Sequence, residues 1–214
     1  MVDTTVLGTD LLFSDVTTSI EGFTVVSRFG IQVGPGFSKN PSPSHIAISV
    51  LLPTCNQAAL ANGGGFFDGT LLLALAYQET LPKFNPRSNI ASSPTKIARG
   101  MGQFLYETGK REVKPPILDF YNPADSLYAT ASYLKTCYLS AKRQSPTSAH
   151  SLLLGYACMG YNGGPGTKIS THEAGKYNIV DGVKTGTSTK MYAQKINQHY
   201  RNFAGTLTGP MTFK

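Results

Sequence analysis

Apolar positions along the chain fall into helical rather than alternating spacing over most of its length. The stretch Leu71-Leu-Leu-Ala-Leu-Ala-Tyr-Gln-Glu-Thr80 is hydrophobic nearly all round, which predicts a buried helix. Asp68 or Thr70 supplies its N-cap after the "NGGG" break at 62–65, and Pro82 predicts its end near Leu81. A second helix is expected from Pro94-Thr95 to Thr108, with Gly109 as terminator. A third opens at Asn122 as cap with Pro123 in the first helical position, and carries Leu127, Ala131, Leu134 and Tyr138 on one stripe to residue 144. A fourth covers 146–166 and ends in glycines. After a loop, a fifth spans 187–205 with Tyr192, Ile196, Tyr200 and Phe203 on one face.

The first 45 residues differ. They are rich in Thr, Ser, Gly and Val, include short alternations at 21–33 that could be strands, and close on the turn-forming run "VGPGFSKNPSPSH" at 33–45. The expected organisation is therefore a mainly α protein: a helical body from 46 to 214, preceded by a non-helical, in part β, extension over 1–45 that acts as a tether or docking element. No internal repeat and no strand–helix alternation suggests another class.

Composition narrows the function classes. With 41% apolar and 14% charged residues in 214, the chain can bury a sizeable core and is not a disordered protein. It holds no apolar run long enough to span a bilayer, so no stable membrane insertion is expected, and its acidic start is unlike a secretory signal. Nineteen Lys and Arg against twelve Asp and Glu give a net charge of +7, which favours an anionic partner. The cations are scattered, without a basic helical stripe interleaved with aromatics, so nucleic acid is not expected as a partner. Cys55, Cys137 and Cys158 are odd in number and lack metal-type spacing. The four histidines, His45, His150, His172 and His199, show no zinc pattern, and neither a metal nor an organic cofactor is expected.

The chemistry sits in three segments in fixed order: the apolar helix ending in Glu79-Thr80, "RGMGQFLYETG" at 99–109, and "ACMGYNGGPG" at 157–166. With "YNPADSLYATASYL" at 121–134 between the second and third, this order resembles the soluble lytic transglycosylase family and the related goose-type lysozymes. In that family a glutamate ends an apolar helix and is followed by Gly-Leu-Met-Gln, an Asn-Pro helix start and Ala-Tyr-Asn-x-Gly. The resemblance covers residues ~66–166. It implies a lysozyme-like fold, the glycan strand of peptidoglycan as substrate, and cleavage between N-acetylmuramic acid and N-acetylglucosamine by Glu79 acting as acid and then base. It further implies that Thr80, Gly100, Met101, Gln103, Tyr161 and Asn162 contact substrate or support the groove, Tyr161 orienting Glu79. The products would be 1,6-anhydromuramoyl sugars, as lytic transglycosylases make them. Here Thr80-Leu81 replaces Ser-Gly, Gly102 replaces Met, and Gly160 replaces Ala.

Physical chemistry points to Glu79 independently. An apolar wall destabilises a carboxylate, and the C-terminal turn of a helix carries partial negative charge, so both favour the protonated form that a general acid needs. The competing reading is a capping or salt-bridged glutamate paired with Lys83 or Arg87. "GMGQF" offers glycines that let backbone approach a sugar and an amide able to bond N-acetyl or hydroxyl groups. "GYNGGPG" lacks the Gly-Lys-Ser/Thr of a phosphate loop. Rival readings are a hydrolytic muramidase on the same fold, an inactive wall-binding virion protein, and a Cys/His peptidase drawing Cys55 or Cys158 together with His150 or His172. A wall-degrading enzyme without its own signal fits a phage protein. It would be associated with the virion through residues 1–45, or act in the host periplasm after delivery or at lysis.

Overall fold

The structure is a computed structural model, and it describes residues 18–20, 23–27, 31–33, 48–80, 98–114, 117, 119–120, 122–175, 178–180, 183–185 and 188–205. The protein is mainly α. Near the N-terminus the backbone forms a three-stranded antiparallel sheet in the order β1 (Thr18–Ile20), β2 (Phe23–Ser27) and β3 (Ile31–Val33), with Thr18 opposite Val25 and Ser27 opposite Ile31. Two of these strands fall within the alternation expected at 21–33. The rest of the 1–45 extension lies outside the described residues.

The chain divides into two compact units, residues 1–132 and 133–214, and the division falls inside one long helix. The helical part of the first unit opens with α1 (Ile48–Asn62), which falls in the helical body expected from residue 46 but was not expected as a helix of its own. Pro53 lies inside it, yet Leu51, Cys55, Ala58 and Ala59 are buried at helical spacing. The expected apolar helix is α2 (Gly69–Thr80), and it packs on α1. Its start follows from Asp68, whose Oδ1 accepts the Leu71 N–H at 2.9 Å. The crossing is close because residue 69 is glycine: a Cβ there would stand 2.4 Å from the Asn56 backbone nitrogen. Leu71 through Ala76 are all buried. The helix stops at Thr80, and the residues expected to stop it, Leu81 and Pro82, lie outside the described residues.

The helix expected from Pro94-Thr95 to Thr108 is absent over residues 98–105, and residues 94–97 lie outside the described residues. Arg99 and Phe104 instead pair as an antiparallel bridge, with N–H to carbonyl distances of 3.0 and 2.9 Å, around a four-residue turn. Gly100 has φ +76° and Gln103 φ +47°, and no right-handed helix holds such residues. Helical structure begins only at Tyr106, and Gly109 lies within a π-helical turn (Thr108–Glu112) rather than ending a helix. A Cβ on Gly109 would come within 2.4 Å of the Phe120 ring, so the glycine is there for room.

α3 (Pro123–Gln144) has the expected bounds. Asn122 caps it, its Oδ1 accepting the Asp125 N–H at 3.2 Å, and Asp125 places negative charge in the first turn, where the helix dipole favours it. Lys142 and Arg143 complement the opposite end. Asn62 Nδ2 donates to the Tyr128 carbonyl at 3.1 Å, tying the end of α1 to α3 within the first unit.

In the second unit, α4 (His150–Gly163) begins later than the expected residue 146, because Ser145 and Ser148 close a turn first; their hydroxyls are 2.6 Å apart. The loop expected at 167–186 carries a short α5 (Ile169–Glu173) and a backbone hairpin of β4 (Asn178–Val180) and β5 (Val183–Thr185). α6 (Thr189–Gly205) follows, with Ser188 Oγ accepting the Met191 N–H at 3.3 Å. Tyr192, Ile196 and Tyr200 are buried as expected and Phe203 is half-buried. α4 packs on both α5 and α6. No described helix is long and apolar enough to cross a membrane.

Candidate active site

The residues singled out in the sequence form three local groups. Glu79 and Thr80 close α2; Gly100, Met101 and Gln103 make one turn; Tyr161 and Asn162 sit in the last turn of α4. The first two groups belong to the first unit and the third to the second.

Glu79 is half-buried, like Tyr77 and Gln78 before it, one residue from the end of a helix whose Leu71–Ala76 stretch is wholly buried. Thr80 points inward. It is buried, and its hydroxyl donates to the Ala76 carbonyl at 2.5 Å, so its proton is committed to the helix itself. The methyl that distinguishes Thr80 from serine is thus housed in the core.

The turn is held from inside. A Cβ on Gly100 would meet the Phe120 carbonyl oxygen at 2.0 Å and Ser126 Oγ at 2.6 Å, so only glycine fits. The Gly102 N–H donates to Ser126 Oγ at 3.1 Å, and Ser126 is fully buried near the start of α3. Met101 is fully buried and anchors the turn as a core side chain. Gln103 is the one non-glycine residue among the described residues with positive φ. That conformation is strained, at about 1–3 kcal/mol for such a residue. Gln103 Nε2 donates to the Gly100 carbonyl at 2.8 Å, which fixes the amide across the mouth of its own turn.

Tyr161 is buried and stands edge-on to Tyr133, with ring centroids 5.3 Å apart and planes at 73°. Asn162 is half-buried. The glycine-rich segment after them is tied to the end of α3. Ser140 Oγ donates to the Pro165 carbonyl at 2.5 Å, and Gln144 both donates to the Thr167 carbonyl at 3.2 Å and accepts the Ile169 N–H at 3.0 Å. Sequence reasoning missed Ser126, Ser140 and Gln144. Ser126 and Ser140 are buried hydroxyls in a helix expected from its apolar stripe, and Gln144 lies exposed at its basic end, so nothing in the local sequence set them apart.

The thiols do not suit a nucleophile. Burial pushes Cys158 up to about 12 and raises Cys55 further, so neither is ionised near neutral pH. His172 is buried with its Nδ1 3.1 Å from the Thr189 hydroxyl, and His150 Nδ1 lies 2.9 Å from the Tyr138 hydroxyl. Among the described residues, no group of three or more His, Cys, Asp or Glu could hold a metal ion.

A comparison with curated proteins gives no match. Against protein-family models, residues 59–179 match the transglycosylase SLT domain, a span that takes in α2 with Glu79, the Gly100–Gln103 turn and the Tyr161-Asn162 pair. That span is more than half of the chain, and the protein belongs to this transglycosylase family of lysozyme-like enzymes that degrade peptidoglycan.

Proposed function

We propose that the protein cleaves the glycosidic bond between N-acetylmuramic acid and N-acetylglucosamine with Glu79 as its only catalytic carboxyl. The observation that carries this reading is the position of Glu79, half-buried in the last turn of a helix whose preceding Leu71–Ala76 stretch is sealed in the core. A proton donor needs an apolar wall and a local field that disfavours negative charge, and the C-terminal turn of an apolar helix offers both. Glu79 gives its proton to the glycosidic oxygen as the bond to the muramic acid C1 breaks. The resulting carboxylate then removes the proton from the C6 hydroxyl as that oxygen closes on C1, leaving a 1,6-anhydro ring and restoring the acid.

A hydrolytic glycosidase ordinarily uses a second carboxylate, ~5 Å or ~6.5–9.5 Å from the first. The acids between Glu79 and Tyr161 are Glu107, Glu112, Asp119 and Asp125. Asp125 is buried, and its Oδ2 accepts the Asp119 N–H at 3.3 Å, so it is employed in holding the turn before α3. Glu107 and Asp119 are exposed. This supports transglycosylation over hydrolysis. Digestion of purified peptidoglycan in heavy-oxygen water, followed by mass spectrometry, tests it. Unlabelled anhydro products are expected, and label at a reducing-end muramic acid would establish a hydrolase instead. Glu79→Gln keeps the shape without a transferable proton, and activity should fall at least ~100-fold.

The setting we propose is a phage enzyme delivered to the host wall, with residues 1–45 docking on other virion proteins; its support is the Thr- and Gly-rich composition of that segment. Deletion of residues 1–44 should leave turnover on purified wall intact while abolishing incorporation into particles. A folded truncated protein without turnover would place the segment in the groove.

A further inference from the structure

Gly163 and Gly164 end α4 for different reasons. Gly164 has φ +92°, a conformation that side chains rarely adopt, and a Cβ there would meet only Thr167 Oγ1, at 3.9 Å. Gly163 is still helical and has no positive φ, so its backbone does not call for glycine, which is a poor helix former. What position 163 needs is room. A Cβ there would stand 2.7 Å from Thr189 Cγ2, 2.8 Å from His172 Cε1 and 3.2 Å from His172 Nδ1. A side chain of α5 and the first side chain of α6 thus rest on the backbone of the last turn of α4, the turn that carries Tyr161 and Asn162.

That contact is held in one orientation. His172 and Thr189 are both buried, and the Thr189 hydroxyl lies 3.1 Å from His172 Nδ1. Nδ1 is bonded to Cε1, the ring atom nearest Gly163, so the hydrogen bond pins the edge that meets the helix. A buried imidazole needs such a partner, and rotation of the ring would cost it that partner. An aliphatic side chain could fill the space without being fixed in this way. From another side, the Gly163 carbonyl accepts the Thr167 hydroxyl at 2.9 Å. We propose that His172 is a positioning residue for catalysis: pinned by Thr189, its ring sets the seat of the last turn of α4 and so the aim of Tyr161 and Asn162. This rests on the reading that those two residues serve the glycan site. His172 itself is too deeply buried to meet a polymeric substrate, and Thr189 lies beyond the family match, which ends at residue 179.

The test is a swap of volume across the contact, read as kcat/KM on purified peptidoglycan well below each variant's melting temperature. Gly163→Ala pushes the turn off its seat and is expected to lower kcat/KM about tenfold or more, since small misplacements are costly. Thr189→Ser removes the methyl and keeps the hydroxyl. His172→Asn removes the Cε1 edge and keeps a polar atom where Nδ1 stands. Gly163→Ala placed on these two changes together should recover at least about threefold of its own loss, because the methyl now has room. Losses that add instead, or a Gly163→Ala protein that melts lower with unchanged kcat/KM, would overturn the proposal. Should Gly163→Ala not fold, Thr189→Val and Thr189→Ser decide it. Val keeps the methyl and frees the ring, so its kcat/KM should fall further than that of Ser, and the reverse order would overturn the proposal. Tyr161→Phe and Asn162→Ala are measured beside them. Full activity in both would remove that turn from the site and overturn the underlying reading together with this one. Lost activity in them, with additive effects at 163 and 172, would overturn the role of His172 alone.

Discussion

Gly65 and Gly100 have the same backbone angle, φ +76°, and opposite surroundings, and this permits a controlled experiment. A Cβ on Gly65 would have nothing within 4 Å, whereas one on Gly100 would stand 2.0 Å from the Phe120 carbonyl oxygen and 2.6 Å from Ser126 Oγ. Gly65→Ala should therefore cost only the left-handed conformation, about 1–2 kcal/mol. Gly100→Ala carries the same strain plus the displacement of a backbone carbonyl and a buried hydroxyl, about 1–3 kcal/mol more by analogy with overpacked cores. The entropy that alanine removes from the unfolded chain is common to both and cancels. At about 2–4 °C per kcal/mol for a chain of this size, the Gly100 variant should melt roughly 2–12 °C below the Gly65 variant. Differential scanning calorimetry of the two proteins reads this directly. Turnover on purified wall should fall only in the Gly100 variant, since relief of the clash must move the turn that carries Gln103. Equal melting temperatures would refute the account of why glycine stands at 100.

Ser126→Ala removes the acceptor of the Gly102 N–H and should cost about 1–3 kcal/mol, with KM for the glycan rising more than kcat falls; unchanged KM in a destabilised protein would make Ser126 merely structural. Asp68→Ala should lower stability by about 1 kcal/mol through loss of the α2 cap while Asp68→Asn retains it, which parallel melts would distinguish. Tyr156 donates to Glu173 Oε1 at 2.7 Å, and burial, then that hydrogen bond, then the charge of Glu173, push the phenol up to about 12. Because the folded value is raised, the stabilisation is complete below the unfolded value near 10 and is lost as pH rises through about 12. Wild type should therefore lose stability relative to Tyr156→Phe between those limits, and parallel alkaline denaturation curves would disprove it.

What could be read along the chain was whatever local chemistry settles. α2 was legible because a capping Asp68, an apolar run and a following Pro82 agree on one answer. α3 was legible for the same reason, from Asn122 and Pro123. α1 was not, since Pro53 speaks against a helix that the burial of Leu51, Cys55 and Ala58 nonetheless sustains. The β4–β5 hairpin could have been read, because Asp181-Gly182 between two runs of β-branched residues is a strong turn signal.

The turn at 99–104 fails for a different reason. Its apolar spacing is compatible with a helix although two of its six residues are glycines, and what requires glycine at position 100 is the Phe120 carbonyl and the Ser126 hydroxyl, some twenty residues further on. Nothing within the turn announces them. The same contacts explain why Asn122, Asp125 and Ser126 fall so close together: the first caps α3, the second holds the Asp119 N–H, and the third holds Gly102. One turn of helix thus starts itself and fixes two loops by three separate hydrogen bonds. Read locally, the segment "NPADS" is only a helix start, and that reading is true as far as it goes. Its second task is visible only once the chain has folded back on it, and it follows that a substitution preserving the cap but not the Ser126 hydroxyl would leave α3 whole and disturb the Gly100–Gln103 turn alone.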